Sequence, residues 1–198
     1  MKVIGVTGGV GCGKSTVLRF LRDEYHACVI EADKVAHEIM EPGQAVYNQV
    51  IEVFGRQVLM PDGKIDRRIL GNMVFGEENR EKLNRLNAIT HPAVREKISQ
   101  KIEKIKKENK SDLIVVETAL LKESGFEQYC DEIWYIYADT QTRIGRLMAD
   151  RGYDRQQCEN MIRKQADEGF YEKNCTRMID NTKEEAYTWL QIKKALEF

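Results

Sequence analysis

The chain has 198 residues, enough for one well-packed domain with inserted subdomains. Its residues are 42% apolar and 32% charged, a soluble globular balance, and no apolar run is long enough to span a bilayer. A formal net charge of −1 leaves no field of one sign, which argues against a duplex nucleic-acid binder.

Lys2-Val3-Ile4-Gly5-Val6-Thr7 reads as a short buried strand running into glycines. Ser15 to Arg22 carries Val17, Leu18, Phe20 and Leu21, the pattern of a helix packed on a sheet. Cys28-Val29-Ile30 is a second strand, followed by Glu31-Ala32-Asp33 and a helix to Glu41 that Pro42-Gly43 stops. From there to about Asn109 the pattern is helical. Val46, Tyr47, Val50, Ile51 and Phe54 form one face, Pro61-Asp62-Gly63 is a turn, and helices are expected around Arg67–Phe75 and Asn79–Ile89. Val94, Ile98, Ile102 and Ile105 mark a further long amphipathic helix. This segment looks like an inserted helical subdomain. Leu113-Ile114-Val115-Val116, ending at Glu117, and Ile133–Tyr137 are the third and fourth strands. Arginine-rich helices fill Thr140 to Lys173, Met178-Ile179 is a weak fifth strand, and a helix from Glu184 to Leu196 closes the chain. Fully apolar strands alternating with helices predict an α/β fold, a parallel sheet covered on both faces.

The five cysteines (Cys12, Cys28, Cys130, Cys158, Cys175) are scattered, and no two stand at metal-knuckle spacing. With the three histidines (His26, His37, His91) they form no metal-ligand pattern, and their odd count fits a reduced, intracellular protein. The first residues show no signal-peptide core, so the expected compartment is the cytoplasm. No pattern specifies an oligomeric state.

Gly8-Gly9-Val10-Gly11-Cys12-Gly13-Lys14-Ser15 matches the Walker A pattern at every fixed position, between an apolar strand and a helix. The glycines let the backbone wrap closely around a triphosphate with its N–H groups pointing inward. The helix adds its positive N-terminal end. Lys14 suits the β- and γ-phosphates, Ser15 suits Mg²⁺, and Thr16 either caps the helix or contacts the α-phosphate. Cys12 lies inside the loop, and its side chain is not needed for phosphate binding.

The cradle alone does not choose among P-loop classes. Asn109-Lys110-Ser111-Asp112 has the form of a guanine-reading N-K-x-D, but it precedes a strand instead of following one. No D-x-x-G switch element occurs. A small kinase fits better. It needs a carboxylate for the acceptor proton, cations near the transferred group and an element that excludes water. Asp33 stands just past the second strand, at the edge that carries the P-loop in a parallel sheet. On position alone it suits a catalytic base or a helix N-cap equally. Glu31 and Glu117 also fall at strand ends, where they either orient Mg²⁺ through water or mark the sheet edge. Arg143, Arg146, Arg151, Arg155 and Arg163 give Thr140–Lys173 the makings of a lid, by phosphate forks or by ordinary surface pairing. The rival readings are another small-molecule or nucleotide kinase and a nucleotide-dependent switch.

The whole chain resembles the dephospho-coenzyme A kinase family. The likeness runs through Val6–Thr16, Glu31-Ala32-Asp33-Lys34, Phe54-Gly55, Asp62-Gly63-Lys64-Ile65-Asp66-Arg67, Leu86-Asn87 and His91-Pro92. It continues with Leu120-Leu121, Glu123, Gln165 and Ile179-Asp180-Asn181. The resemblance implies phosphorylation of the ribose 3′-hydroxyl of dephospho-CoA by ATP with Mg²⁺, giving CoA and ADP. It implies a P-loop kinase core over about 1–32, 110–139 and 174–198, a helical acceptor domain over about 33–109 and a lid over about 140–173. It makes Asp33 the general base, Arg146 a lid arginine and Asn181 a neighbour of the adenine, with Arg67 and His91 in the acceptor domain. For those last two, helix-start pairing and a turn before Pro92 are the plainer readings. The chain departs from the family at Glu31 (usually Asp), His37 (commonly Arg), Ala119 and Lys122 (usually Pro and Phe) and Cys175-Thr176 (usually Ala-Asp). Arg151 also stands one residue further from Arg146 than the family pattern has it, a five-residue step that does not share a helix face.

Overall fold

The structure, a computed structural model, describes residues 1–119 and 125–197. Leu120-Leu121, Lys122 and Glu123, noted above, lie outside the described residues. The chain forms two compact units: Met1–Val29, Ile105–Lys122 and Phe126–Phe198 make the first, and Ile30–Lys104 with Glu123–Gly125 make the second.

All five predicted strands form: β1 (Lys2–Thr7), β2 (Cys28–Glu31), β3 (Leu113–Glu117), β4 (Glu132–Tyr137) and β5 (Arg177–Asp180). They build one sheet in the order β2-β3-β1-β4-β5. The β-branched run of β1 lies at its centre, buried from Val3 to Thr7. Parallel pairing sets Val6 opposite Glu117 on one side and Trp134 on the other. Tyr137 of β4 pairs with Asp180 of β5. These registers bring the end of β1, Glu117 and the segment after Asp180 to the same edge of the sheet. Helices α1 (Lys14–Tyr25) and α9 (Glu185–Leu196) belong to this unit. Val17 and Leu21 from α1 and Ile192 from α9 share a buried core with Ile4, Val6, Val115, Trp134, Ile136 and Ile179. Phe20 stacks on Trp189 at 4.2 Å between ring centroids.

The arginine-rich segment forms three helices, α6 (Thr140–Arg151), α7 (Arg155–Arg163) and α8 (Glu168–Asn174). Each starts at an aspartate whose side chain accepts a backbone N–H: Asp139, Asp154 and Asp167. Ile144, Leu147 and Cys158 form one buried cluster among them, packed with Val10 of the cradle, and Tyr171 is buried on α8.

The second unit holds α2 (Ala32–Glu38), α3 (Ala45–Phe54), α4 (Arg67–Val74) and most of α5 (Arg80–Glu108). Val46, Val50 and Phe54 are buried, as the periodicity predicts. The turn at Pro61-Asp62-Gly63 is tied down by the Tyr47 hydroxyl, which donates to the Gly63 carbonyl at 2.5 Å. Two helices were expected across residues 79–105, but the structure has one continuous α5, with Pro92 inside it and no turn at His91. Pro92 removes one N–H donor from the ladder. Thr90, Val94, Ile98 and Ile102 are buried on either side of it, and that packing carries the helix through.

Candidate active site

The cradle begins where β1 ends. Lys14 starts α1, and the preceding Gly13 is its N-cap in the left-handed region at φ 85. A Cβ on Gly13 would stand 2.1 Å from Asn181 Nδ2, so both backbone conformation and space require glycine. Lys14 Nζ donates to the Gly8 carbonyl at 2.9 Å and lies 3.7 Å from Glu117 Oε1. Both of those side chains are largely buried, at 17% and 14% exposure. The ammonium is therefore held across the mouth of the loop. Ser15, in the first turn, is exposed. Cys12 is 2% exposed. Burial raises its thiol pKa against the opposing pull of Lys14, Arg143 and Arg146, so it stays protonated and inert.

Side chains from distant parts of the chain grip the outer side of the loop. Asn181, only 2% exposed, donates to the Cys12 carbonyl at 2.8 Å and accepts from the Thr188 hydroxyl at 2.9 Å. Arg146 donates to the Asn181 carbonyl at 2.8 Å and to the Cys12 carbonyl at 3.3 Å. Arg143 donates through Nε to the Val10 carbonyl at 2.8 Å. Gln165 Oε1 accepts from the Val10 N–H at 3.0 Å and from the Arg143 guanidinium. Arg151, in contrast, is exposed in the last turn of α6.

The structure thus brings Lys14, Glu117, Arg146 and Asn181 together at the loop. Sequence reading missed Thr188 entirely. The available signal was a threonine on the buried stripe of α9, four and seven residues before Ile192 and Ala195. Arg143 appeared only as one arginine among five, and nothing local ties it to Gln165, 22 residues on.

In the second unit, Asp33 is exposed in the first turn of α2. The N-cap of that helix is Glu31, so Asp33 is not its cap. Asp33 and Glu41 both act electrostatically on the Arg67 guanidinium. Local desolvation and then Arg67 lower the His37 imidazole pKa, with Asp33 and Glu41 opposing. Arg67 opens α4, whose cap is the neighbouring Asp66, accepting from Arg68 N at 2.9 Å and Ile69 N at 3.1 Å. His91 is half-buried on α5.

Among the described residues no group of three or more His, Cys, Asp or Glu could hold a metal ion by itself. Ser15 and Glu117 offer oxygen alone at the cradle, a donor set that suits Mg²⁺ carried in on phosphate oxygens and suits no softer metal.

A Walker cradle on a five-stranded parallel sheet, with Lys14 at its mouth and arginines beside it, defines a P-loop kinase. The dephospho-CoA kinase family model matches residues 2–186. A dephospho-CoA kinase from Carboxydothermus hydrogenoformans is 41% identical over 197 residues, covering 96% of this chain and 94% of that one. The structure of dephospho-CoA kinase from Campylobacter jejuni superposes with a TM-score of 0.69 at 28% identity, over 98% of this chain and 94% of that one. A Thermus thermophilus protein of known structure, also 28% identical, gives a TM-score of 0.81 over 98% and 96%. The chain belongs to the dephospho-CoA kinase family, the ATP-dependent kinases that complete coenzyme A biosynthesis.

Proposed function

We propose that the chain transfers the γ-phosphoryl group of ATP to the ribose 3′-hydroxyl of dephospho-CoA, with Lys14 at the phosphates and Asp33 as the base. The observation that carries this is the intact cradle, with Lys14 poised over it, in a chain matching the family from residue 2 to residue 186. Backbone amides along the loop from Gly8 to Lys14, apart from the Val10 N–H that Gln165 takes, surround the phosphate tail. Lys14 offsets charge on the β- and γ-groups, and Arg146 adds positive charge beside the loop. Ser15 is the residue that would hold Mg²⁺, assisted by Glu117; bound, the ion neutralises charge on the β- and γ-oxygens.

Asp33 follows β2 by two residues, and in a parallel sheet the carboxyl ends of the strands share one edge. It accepts the proton of the acceptor hydroxyl, and the Arg67 guanidinium lies within electrostatic reach of its carboxylate. Residues from about 33 to 109 serve as the acceptor domain, where Arg67 and His91 shape the site, and residues from about 140 to 173 serve as the lid.

Coupled ADP release tests the reading: dephospho-CoA should stimulate it strongly and a panel of nucleosides and nucleotides should not. No stimulation by dephospho-CoA would sink it. Asp33→Asn should lower kcat by about 10²- to 10⁴-fold while ADP binding is unchanged. Near-normal turnover in that variant removes Asp33 as the base.

A further inference from the structure

The outer face of the loop carries more than packing requires. In a trans peptide the carbonyl and the following N–H point in opposite directions. A group that fixes a carbonyl on one side therefore aims an amide at the other. Arg143 fixes the Val10 carbonyl, and so directs the Gly11 N–H. Asn181 and Arg146 fix the Cys12 carbonyl, and so direct the Gly13 N–H. The Val10 N–H is itself taken by Gln165, whose same oxygen also receives Arg143. Arg143 and Gln165 thus hold both sides of one residue in the middle of the cradle.

The glycines agree. Positions 9 and 11 tolerate any residue in the Walker pattern, yet both are glycine in this chain. A Cβ on Gly9 would stand 2.3 Å from Arg143 Nη2 and 2.7 Å from Gln165 Oε1. Gly11 sits at φ 76, which itself favours glycine, and a Cβ there would stand 2.9 Å from the backbone carbonyl of Arg143, so α6 packs directly on the loop. A side chain at position 9 would displace the Arg143 guanidinium and the Gln165 amide.

We propose that Arg143, braced by Gln165, is a positioning residue for the donor site: it orients the Val10–Gly11 peptide so that the cradle amides face the nucleotide β-phosphate. The charged donor also polarises that peptide, which strengthens the N–H on its far side. This rests on the proposed role of the cradle in holding ATP.

Calorimetric titration of wild type and variants with ADP and with AMP tests it, since only ADP carries the β-phosphate. Arg143→Ala should weaken ADP by about ten- to a hundredfold, the cost of one charge-assisted hydrogen bond, and leave AMP nearly unchanged. The KM for dephospho-CoA should not move. Arg143→Lys should recover little, because a single ammonium cannot reproduce the fork onto Val10 and Gln165. Gln165→Ala, a smaller perturbation, should show the same selective loss, and the double variant should be no worse than the poorer single one. A folded Gln165→Ala protein with the wild-type ratio of ADP to AMP affinity overturns the proposal, even if Arg143→Ala does not fold. A fall in melting temperature without a change in that ratio overturns it as well. Failure of wild type to bind ADP overturns the reading of the cradle itself.

Discussion

Thr7 closes β1 immediately before the cradle, fully buried, and its hydroxyl has no hydrogen-bond partner among the described residues. An unpaired buried hydroxyl carries its desolvation cost with no return. Thr7→Val has nearly the same shape, so it should leave stability unchanged or raise it by about 1 kcal/mol in urea denaturation. A loss of more than that would mean the hydroxyl has a partner. The Walker residues were legible because their chemistry is local: eight consecutive positions carry the loop, the lysine and the helix start. The partner of Lys14 was not. Glu117 lies more than 100 residues away, and it reaches the ammonium because the β1–β3 register sets it opposite Val6. Asp33 shows the other side of this. Position alone left it between cap and base, and the backbone makes Glu31 the cap instead.

At the level of elements, α6 does the most for the site, since it carries Arg143 and Arg146 three residues apart on one face. Its start is pinned by Asp139, which accepts from Thr142 N at 2.9 Å and from the Thr142 hydroxyl at 2.8 Å. Asp139→Ala should cost about 1 kcal/mol of stability, read from a thermal or chemical melt. Those bonds, the backbone one first, hold the Asp139 carboxyl below its ordinary value. A depressed carboxylate contributes stability above its unfolded pKa and loses it as pH falls through the folded one. The wild-type advantage over Asp139→Ala should therefore persist at neutral pH and shrink in melts below the ordinary aspartate range. The α5 helix is the element where local reading fell short. Proline is a strong stop signal, and its effect was overridden by burial that no short window reveals.

Across the whole molecule, the sheet is tied at the end opposite the cradle by Glu132. It receives Lys2 Nζ at 2.7 Å, Trp134 Nε1 at 2.7 Å and Arg177 Nε at 3.4 Å, joining β1, β4 and β5. Burial works against this carboxylate, but Lys2 and Trp134 outweigh it and the net shift is downward. Glu132→Gln should destabilise the protein by about 1–2 kcal/mol at neutral pH, with the difference fading in acid as the wild-type carboxyl protonates. A constant difference across pH would assign the loss to packing. By itself the sequence determined the α/β class, the five strands, the phosphate cradle and its lysine, because apolar runs and a contiguous motif act through neighbours in the chain. Only the tertiary structure decided the strand order β2-β3-β1-β4-β5, the pairing of Lys14 with Glu117 and the hold of Arg143, Gln165, Arg146 and Asn181 on the loop. Those contacts join residues up to 169 positions apart. They form only when parallel strands bring distant carboxyl ends to one edge, which no local pattern encodes.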